Sequence, residues 1–253
     1  MRIAIVIPAR LASTRLPGKV LLRETGKYLI QHVYEAVRAA GVSRDVFIAT
    51  DHDDVAQACA QFGAPCRLTG NLASGTDRVA AVAAELPHEI IINVQGDEPE
   101  LAPAHLQALA RLMTGPQAPE VGTVAVETRD AEQSRDPNIV KAVCTADGRA
   151  LYFSRAPIPY PRQTQGREGR WLRHLGLYAF QRAALARIAA AQPTLLEQTE
   201  SLEQLRFLEL GLRMDVAIVE GPPSAGIDTP EQYAAFVARY RVYQGRIATP
   251  ERR

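Results

Sequence analysis

The 253-residue chain holds three cysteines, Cys59, Cys66 and Cys144, an odd number with no Cys-x-x-Cys spacing. That excludes a disulfide-built scaffold and a zinc ribbon, and reads as reduced core thiols in a cytoplasmic setting. Charge of one sign is also missing. With 29 basic against 28 acidic residues the net charge is +1, whereas a general nucleic-acid binder carries a basic excess. No apolar run approaches a membrane span, and the first one, Ile3–Pro8, is too short for a signal peptide and is followed at once by Arg10. There is no fixed-period repeat and no low-complexity segment. Two glycine signatures are absent as well, the G-x-x-x-x-G-K-[ST] phosphate loop and the G-x-G-x-x-G dinucleotide fingerprint, which disfavours a nicotinamide dehydrogenase.

What is present begins with Ile3–Pro8, a short β-branched run of the kind that lies buried on both faces of a parallel sheet. The loop after it, Ala9–Lys19, carries Arg10, Arg15 and Lys19, two hydroxyls (Ser13, Thr14) and a Pro17-Gly18 turn. Loops at the carboxyl ends of sheet strands are where open α/β sheets bind ligands. Charge alone leaves two readings, a side-chain grip on a triphosphate or a solvated basic turn.

Helical periodicity predicts helices over 28–40, 54–62, 79–85, 102–114, 181–191, 199–210 and 231–243, and apolar runs predict strands over 46–50, 64–68, 88–95, 121–127, 173–180 and 214–220. Asp51-His-Asp-Asp54 reads as helix capping or as metal ligands. Ser74, Gly75, Thr76 and Asp77 form a polar helix entry, and Arg78 in the first turn, at the positive end of the helix dipole, answers to something anionic. Gly96 permits a sharp turn. Asp97 stands at a strand end as an Mg2+ carboxylate or a helix cap. Asp228, before Thr-Pro, is a cap or a ligand. Residues 139–145 and 150–153 predict a hairpin around Asp147-Gly148, 163–170 a polar surface loop, and 138–180 as a whole an antiparallel insertion beside a parallel sheet. No linker composition divides the chain, so 1–253 reads as one domain, with that insertion closing a site or forming a dimer interface.

Eight stretches then occur in a fixed order: Ile7–Lys19, Ala49–Asp51, Ser74–Arg78, Asn93–Pro99, Ala150–Pro159, Arg173–Tyr178, Leu202–Arg206 and Gly226–Glu231. In them the chain resembles the 3-deoxy-manno-octulosonate (Kdo) cytidylyltransferase family, also called CMP-Kdo synthetases. The resemblance implies a Rossmann-like nucleotidyltransferase α/β fold with a mostly parallel central sheet, a homodimer, and Mg2+-dependent transfer of CMP from CTP to Kdo for lipopolysaccharide assembly. It implies that Ala9, Arg10, Arg15, Lys19, Ser74, Gly75, Thr76, Arg78 and Gln95 face the nucleotide. It implies that Gln95, Arg155, His174, Tyr178, Glu203 and Gln204 line the sugar pocket, and that Asp97 and Asp228 hold magnesium, with Arg15, Lys19, Asp97 and Asp228 as the catalytic set. Leu72 and Tyr28 stand where that family often has histidine and proline. Alternatives from the residues are a cytidylyltransferase for a related sugar acid, such as 8-amino-Kdo or a sialic acid, or a non-catalytic nucleotide-sugar-binding protein.

Overall fold

The computed structural model describes residues 1–162, 169–224 and 226–248, without the side chains of 245–248. The polar loop expected over 163–170 therefore falls mostly outside the described residues.

In chain order the elements are β1 (Ile3–Ala9), α1 (Leu29–Ala39), β2 (Val46–Thr50), α2 (Asp53–Gln61), β3 (Cys66–Leu68), α3 (Gly75–Ala84), β4 (Ile90–Asn93), α4 (Pro103–Thr114) and β5 (Val121–Thr128). Then follow α5 (Ala131–Arg135), β6 (Lys141–Cys144), β7 (Ala150–Ser154), β8 (Trp171–Gln181), α6 (Arg182–Ala190), α7 (Leu195–Glu200), α8 (Gln204–Glu209), β9 (Met214–Val219) and α9 (Pro230–Ala248). The sheet runs β3-β2-β1-β4-β8-β5-β9, with β6 on β8 and β7 on β6. β1, β2, β3 and β4 are mutually parallel, β5 and β9 are parallel, and β8 runs antiparallel to both β4 and β5. All of these strands except β8 thus point their carboxyl ends to one edge.

Alternation along the strands builds two cores. Ile5 and Ile7 of β1 and Ile90 and Ile92 of β4 pack with Val33 and Val37 of α1 and Leu106 and Leu109 of α4. Ala4, Val6 and Ile91 face the opposite way, onto Val79 and Val82 of α3, Leu185 and Ile188 of α6, and Phe207 of α8. Burial on both faces is why β1 and β4 are continuous apolar runs. A third cluster of Leu29, Ile227, Tyr233, Phe236 and Val237 docks α9 against the segment after the first loop.

The hairpin is present, β6 on β7, with Asp147-Gly148 in its turn. Two expectations differ. β8 is not part of an insertion beside the sheet but lies inside it, between β4 and β5. Nothing in a strand's apolar period records its direction, and only the β6–β7 hairpin hangs off the main path. The helix expected over 199–210 is two short helices, α7 and α8, broken at Ser201 in the left-handed region (φ 52°). Two arginines impose the break. Arg155 takes the backbone carbonyls of Glu200 and Ser201, at 2.7 and 3.1 Å. Arg206 reaches back from α8 to the Glu197 carboxylate on α7, its Nε at 2.8 Å.

Candidate active site

The carboxyl edge of the sheet carries two cavities. The smaller, about 400 Å3, lies between the β1 loop (Arg10, Ser13, Lys19), the start of α3 (Ser74, Gly75) and the turn after β4. The larger, about 830 Å3, lies between β8 (Arg173, His174, Tyr178), the α7–α8 junction (Glu203, Gln204) and the loop before α9 (Asp228). Gln95 lines both.

Between them sits a knot of charge. Lys19 Nζ lies 2.5 Å from Asp97 Oδ2 and 2.9 Å from Asp228 Oδ1, and Arg15 lies 3.0 Å from Asp228 Oδ2. Burial pulls the Lys19 pKa down, but Asp97 and Asp228 outweigh it, so the ammonium titrates above its ordinary value. Local geometry sets each partner. Gly18 adopts a left-handed conformation (φ 64°) that starts the helical turn of Lys19–Leu21. Gly96 lets the turn after β4 press on β1, since a Cβ there would stand 2.5 Å from the Pro8 carbonyl oxygen. Ile227, buried in the third cluster, donates its amide to the Asp97 carbonyl at 2.9 Å and so sets Asp228 opposite Asp97. Asp228 is not the α9 cap, because the Thr229 hydroxyl accepts from the Gln232 amide instead. Asp97 does not cap α4, whose N-cap residue is Ala102.

Ser74 is the α3 N-cap, in a reciprocal capping box with Asp77. Thr76 donates its hydroxyl to Glu203 Oε2 at 2.6 Å, tying α3 to the α8 entry across the two cavities. Arg78 does not reach a cavity. It is fully buried, pairs with Asp51 at 2.8 Å and also bonds the Thr69 hydroxyl, so the anion it answers is internal. Ala9 is likewise buried under the β1 loop rather than on a wall. Asp53 and Asp54 lie in the first turn of α2 behind His52, whose ring nitrogen accepts from the Asp54 amide, which is the capping reading of that segment.

In the larger cavity His174 Nε2 lies 2.8 Å from the Thr123 hydroxyl, and burial pulls its pKa down to about 3, so the ring is neutral. Tyr178 is held as the phenol by burial, with Glu203 and Glu98 adding to it. Burial raises Glu203, against the hydrogen bonds from Thr76 and Ser74. Its Oε1 is buried and lies 3.7 Å from the Arg206 guanidinium, an ion pair too long for a hydrogen bond. Arg155 lines this cavity, but its guanidinium donates to the carbonyls of Pro137, Glu200 and Ser201. Three contributors were given no role by the sequence. Lys141, fully buried, donates to the carbonyls of Asp136 (3.0 Å), Ile139 (2.7 Å) and Arg155, all three residues of the cavity wall. Arg173 lines the cavity with a bond to Gln133. Glu98 turns inward, accepts from Ser224 at 2.8 Å, and is raised to about 7 by burial. Glu98 and Arg173 meet partners 126 and 40 residues away, and Lys141 meets backbone carbonyls, which leave no mark in the sequence.

A cation shared by Asp97 and Asp228 is therefore compatible with the donor set, for the Lys19 ammonium already stands at that point. Among the described residues no group of three or more His, Cys, Asp or Glu side chains joins to hold a metal. Two carboxylates suit a hard cation that takes its remaining oxygens from phosphate and water.

Comparison with known proteins bears on this geometry. The family model described as cytidylyltransferase matches residues 4–215. The 3-deoxy-manno-octulosonate cytidylyltransferase of Acidobacterium capsulatum is 48% identical over 91% of this chain and 93% of its own. That of Synechococcus elongatus is 50% identical over 85% and 89%. A solved structure of CMP:2-keto-3-deoxy-manno-octonic acid synthetase complexed with CTP superposes with a TM-score of 0.91 at 38% identity, over 96% of this chain and 100% of that one. HddC from Yersinia pseudotuberculosis shares the fold alone, at 12% identity and a TM-score of 0.67. With the motif residues gathered at one sheet edge and identity of this extent, the chain belongs to the 3-deoxy-manno-octulosonate cytidylyltransferase family.

Proposed function

We propose that this protein transfers CMP from CTP to the anomeric hydroxyl of Kdo, releasing pyrophosphate and supplying the activated sugar for lipopolysaccharide assembly. The observation that carries the reading is the pair of cavities meeting at Gln95, with the Lys19–Asp97–Asp228 knot at their junction. A triphosphate fits the smaller cavity, where Arg10, Lys19 and the α3 entry (Ser74, Gly75) supply cations and helix N-terminal amides. Thr76 ties that entry to the sugar side, and Arg78 steadies the end of β2 through Asp51. A sugar acid fits the larger cavity, where neutral His174, the Tyr178 phenol, Glu203 and Gln204 offer hydrogen bonds.

The sugar hydroxyl attacks the α-phosphorus in line. Its oxygen bonds to phosphorus, the bond to the β-phosphate bridging oxygen breaks, and the hydroxyl proton leaves to solvent. Arg15 and Lys19 neutralise the departing pyrophosphate. Mg2+ held by Asp97 and Asp228 would supply charge screening and a more acidic sugar hydroxyl. His174 orients the sugar and is no base. Arg155 acts on the sugar pocket by holding its wall.

The test is pyrophosphate release from CTP and Mg2+ with a panel of Kdo, 8-amino-Kdo and a sialic acid. Release with Kdo alone supports the reading, preference for another sugar acid reassigns the substrate, and no release with any member leaves a nucleotide-sugar binder. The same reading includes a cytoplasmic protein, in line with the absence, among the described residues, of a helix long and apolar enough to cross a membrane. It also includes a homodimer, supported by exposed Leu151 on β7 and Ile218 on neighbouring β9. Sedimentation velocity tests the dimer, and a monomer at micromolar concentration overturns it.

A further inference from the structure

Lys19 is expected to face a triphosphate, yet its ammonium is fully engaged elsewhere. An ammonium has three donors. Here they go to Asp97 Oδ2 at 2.5 Å, Asp228 Oδ1 at 2.9 Å and the Ile227 carbonyl at 2.9 Å. The side chain is 12% exposed, so little water competes. The second oxygen of Asp228 is taken by Arg15. Both carboxylates that suit a divalent cation are thus bridged by a fixed monovalent one, standing where a shared divalent ion would have to sit.

The rest of the site gives a divalent ion little reason to displace it. No third carboxylate, histidine or cysteine completes a metal group among the described residues. Mg2+ dehydrates reluctantly and is bound by one or two carboxylates together with substrate phosphates. Before nucleotide arrives, those phosphate oxygens are missing and the carboxylates are neutralised. Lys19 also lines the smaller cavity, beside Arg10 and Ser13, while Val20 anchors its backbone in the core. Lys19 thus borders both the carboxylate pair and the cavity assigned to the triphosphate.

Resting on the cytidylyltransferase reading, we infer that Lys19 is a gate on the carboxylate pair: it holds Asp97 and Asp228 together in the nucleotide-free protein and excludes divalent cations until a triphosphate draws it away. The exchange makes loading ordered. One cation leaves the carboxylates for phosphate as another enters, and the two acids are never left facing each other unscreened. Arg15, on the exposed side of Asp228, moves in the same sense.

The experiment uses the full chain without nucleotide, with Mn2+ as the probe and free Mn2+ read by electron paramagnetic resonance. Wild type leaves millimolar Mn2+ free. Lys19→Met binds one Mn2+ per chain, at least about tenfold tighter than wild type, because two charge-assisted contacts no longer compete for the carboxylates. Lys19→Arg, which keeps the cation, stays as silent as wild type. Adding Asp97→Asn to Lys19→Met abolishes the binding. Circular dichroism checks folding, and Lys19→Gln takes the place of Lys19→Met if the latter does not fold. Wild-type binding of one Mn2+ that Asp97→Asn removes overturns the gate, as does a folded Lys19→Met that binds none. Pyrophosphate release by wild type is read separately. An active enzyme whose nucleotide-free form binds Mn2+ at Asp97 refutes the gate alone, and an inactive protein with the gating signature refutes the activity alone.

Discussion

Replacing Lys141 with methionine keeps most of the side-chain stem but removes an ammonium that solvent does not reach. Its three acceptors are backbone carbonyls, of Asp136 at 3.0 Å, Ile139 at 2.7 Å and Arg155. Hydrogen bonds to a charged group contribute about 1.5–3 kcal/mol each. Against them stands the several kcal/mol that burying an ammonium costs, which methionine does not incur. The balance is a loss of about 3–5 kcal/mol, because three buried carbonyls are left short of a donor at about 1–3 kcal/mol each. For a chain of this size each kcal/mol moves Tm by about 2–4 °C, so Tm falls by roughly 6–20 °C. The protein stays folded, since total stability is about 5–15 kcal/mol.

The functional part of the prediction is one-sided. Asp136, Ile139 and Arg155 line the larger cavity and none of them lines the smaller one. KM for Kdo therefore rises by at least about tenfold, equivalent to about 1.4 kcal/mol, while KM for CTP stays within about twofold. Urea unfolding followed by fluorescence gives the stability term, and continuous pyrophosphate detection gives both KM values. Lys141→Arg restores part of each, because a planar fork cannot meet three carbonyls that converge on one ammonium. An unfolding midpoint within error of wild type, or equal changes in both KM values, refutes the reasoning.

Gly96→Ala puts a Cβ 2.5 Å from the Pro8 carbonyl oxygen and 3.3 Å from Ile30 Cδ1. It is expected to cost about 1–3 kcal/mol and to lower kcat by shifting Asp97; wild-type denaturation and turnover together sink it. Asp97→Asn and Asp228→Asn each lower pyrophosphate release by at least about a hundredfold. Both side chains are partly exposed, so each substitution changes stability by only about 1 kcal/mol; near-normal turnover in either variant removes it from the metal set. His174, pulled down to about 3 by burial, binds no proton in the native state where the unfolded chain does. Its contribution to stability is therefore full above about pH 6.5 and is lost as pH falls toward 3. Its ring resonances should stay flat from pH 8 to 5, and an inflection near 6.5 contradicts the burial argument.

The fold was legible where burial is symmetric. β1 and β4 are covered by helices on both faces, so every position is apolar and the runs Ile3–Pro8 and Ile90–Ile92 announce themselves. The break at Ser201 was not legible, because neither glycine nor proline marks it. The helical period runs through 199–210 undisturbed, and the interruption comes from Arg155 and Arg206, which bind carbonyls and a carboxylate of α7 from outside it. β8 was visible as a strand but not as the antiparallel member of the sheet. Its order depends on pairing Asn93 with Tyr178 and Thr128 with Trp171, contacts that local pattern does not record.

The site shows the same division more sharply. Sequence supplies the sign of a side chain and its place near a strand end, but not the partner that decides its use. Lys19, Arg78, Lys141 and Arg155 are all cations near loops. Lys19 meets carboxylates 78 and 209 residues away and sits where substrates meet. Arg78 meets Asp51 and disappears into the core. Lys141 and Arg155 meet only carbonyls and become the frame of a cavity. Adjacent Asp97 and Glu98 diverge for the same reason, one facing Lys19 at the cavity junction and the other turned inward to Ser224. A cation spent on carbonyls shapes a pocket without offering its charge to a ligand. A cation shared between two carboxylates can give them up, since a triphosphate competes for it on equal electrostatic terms. That difference separates the residues that should move during the reaction from those that must not.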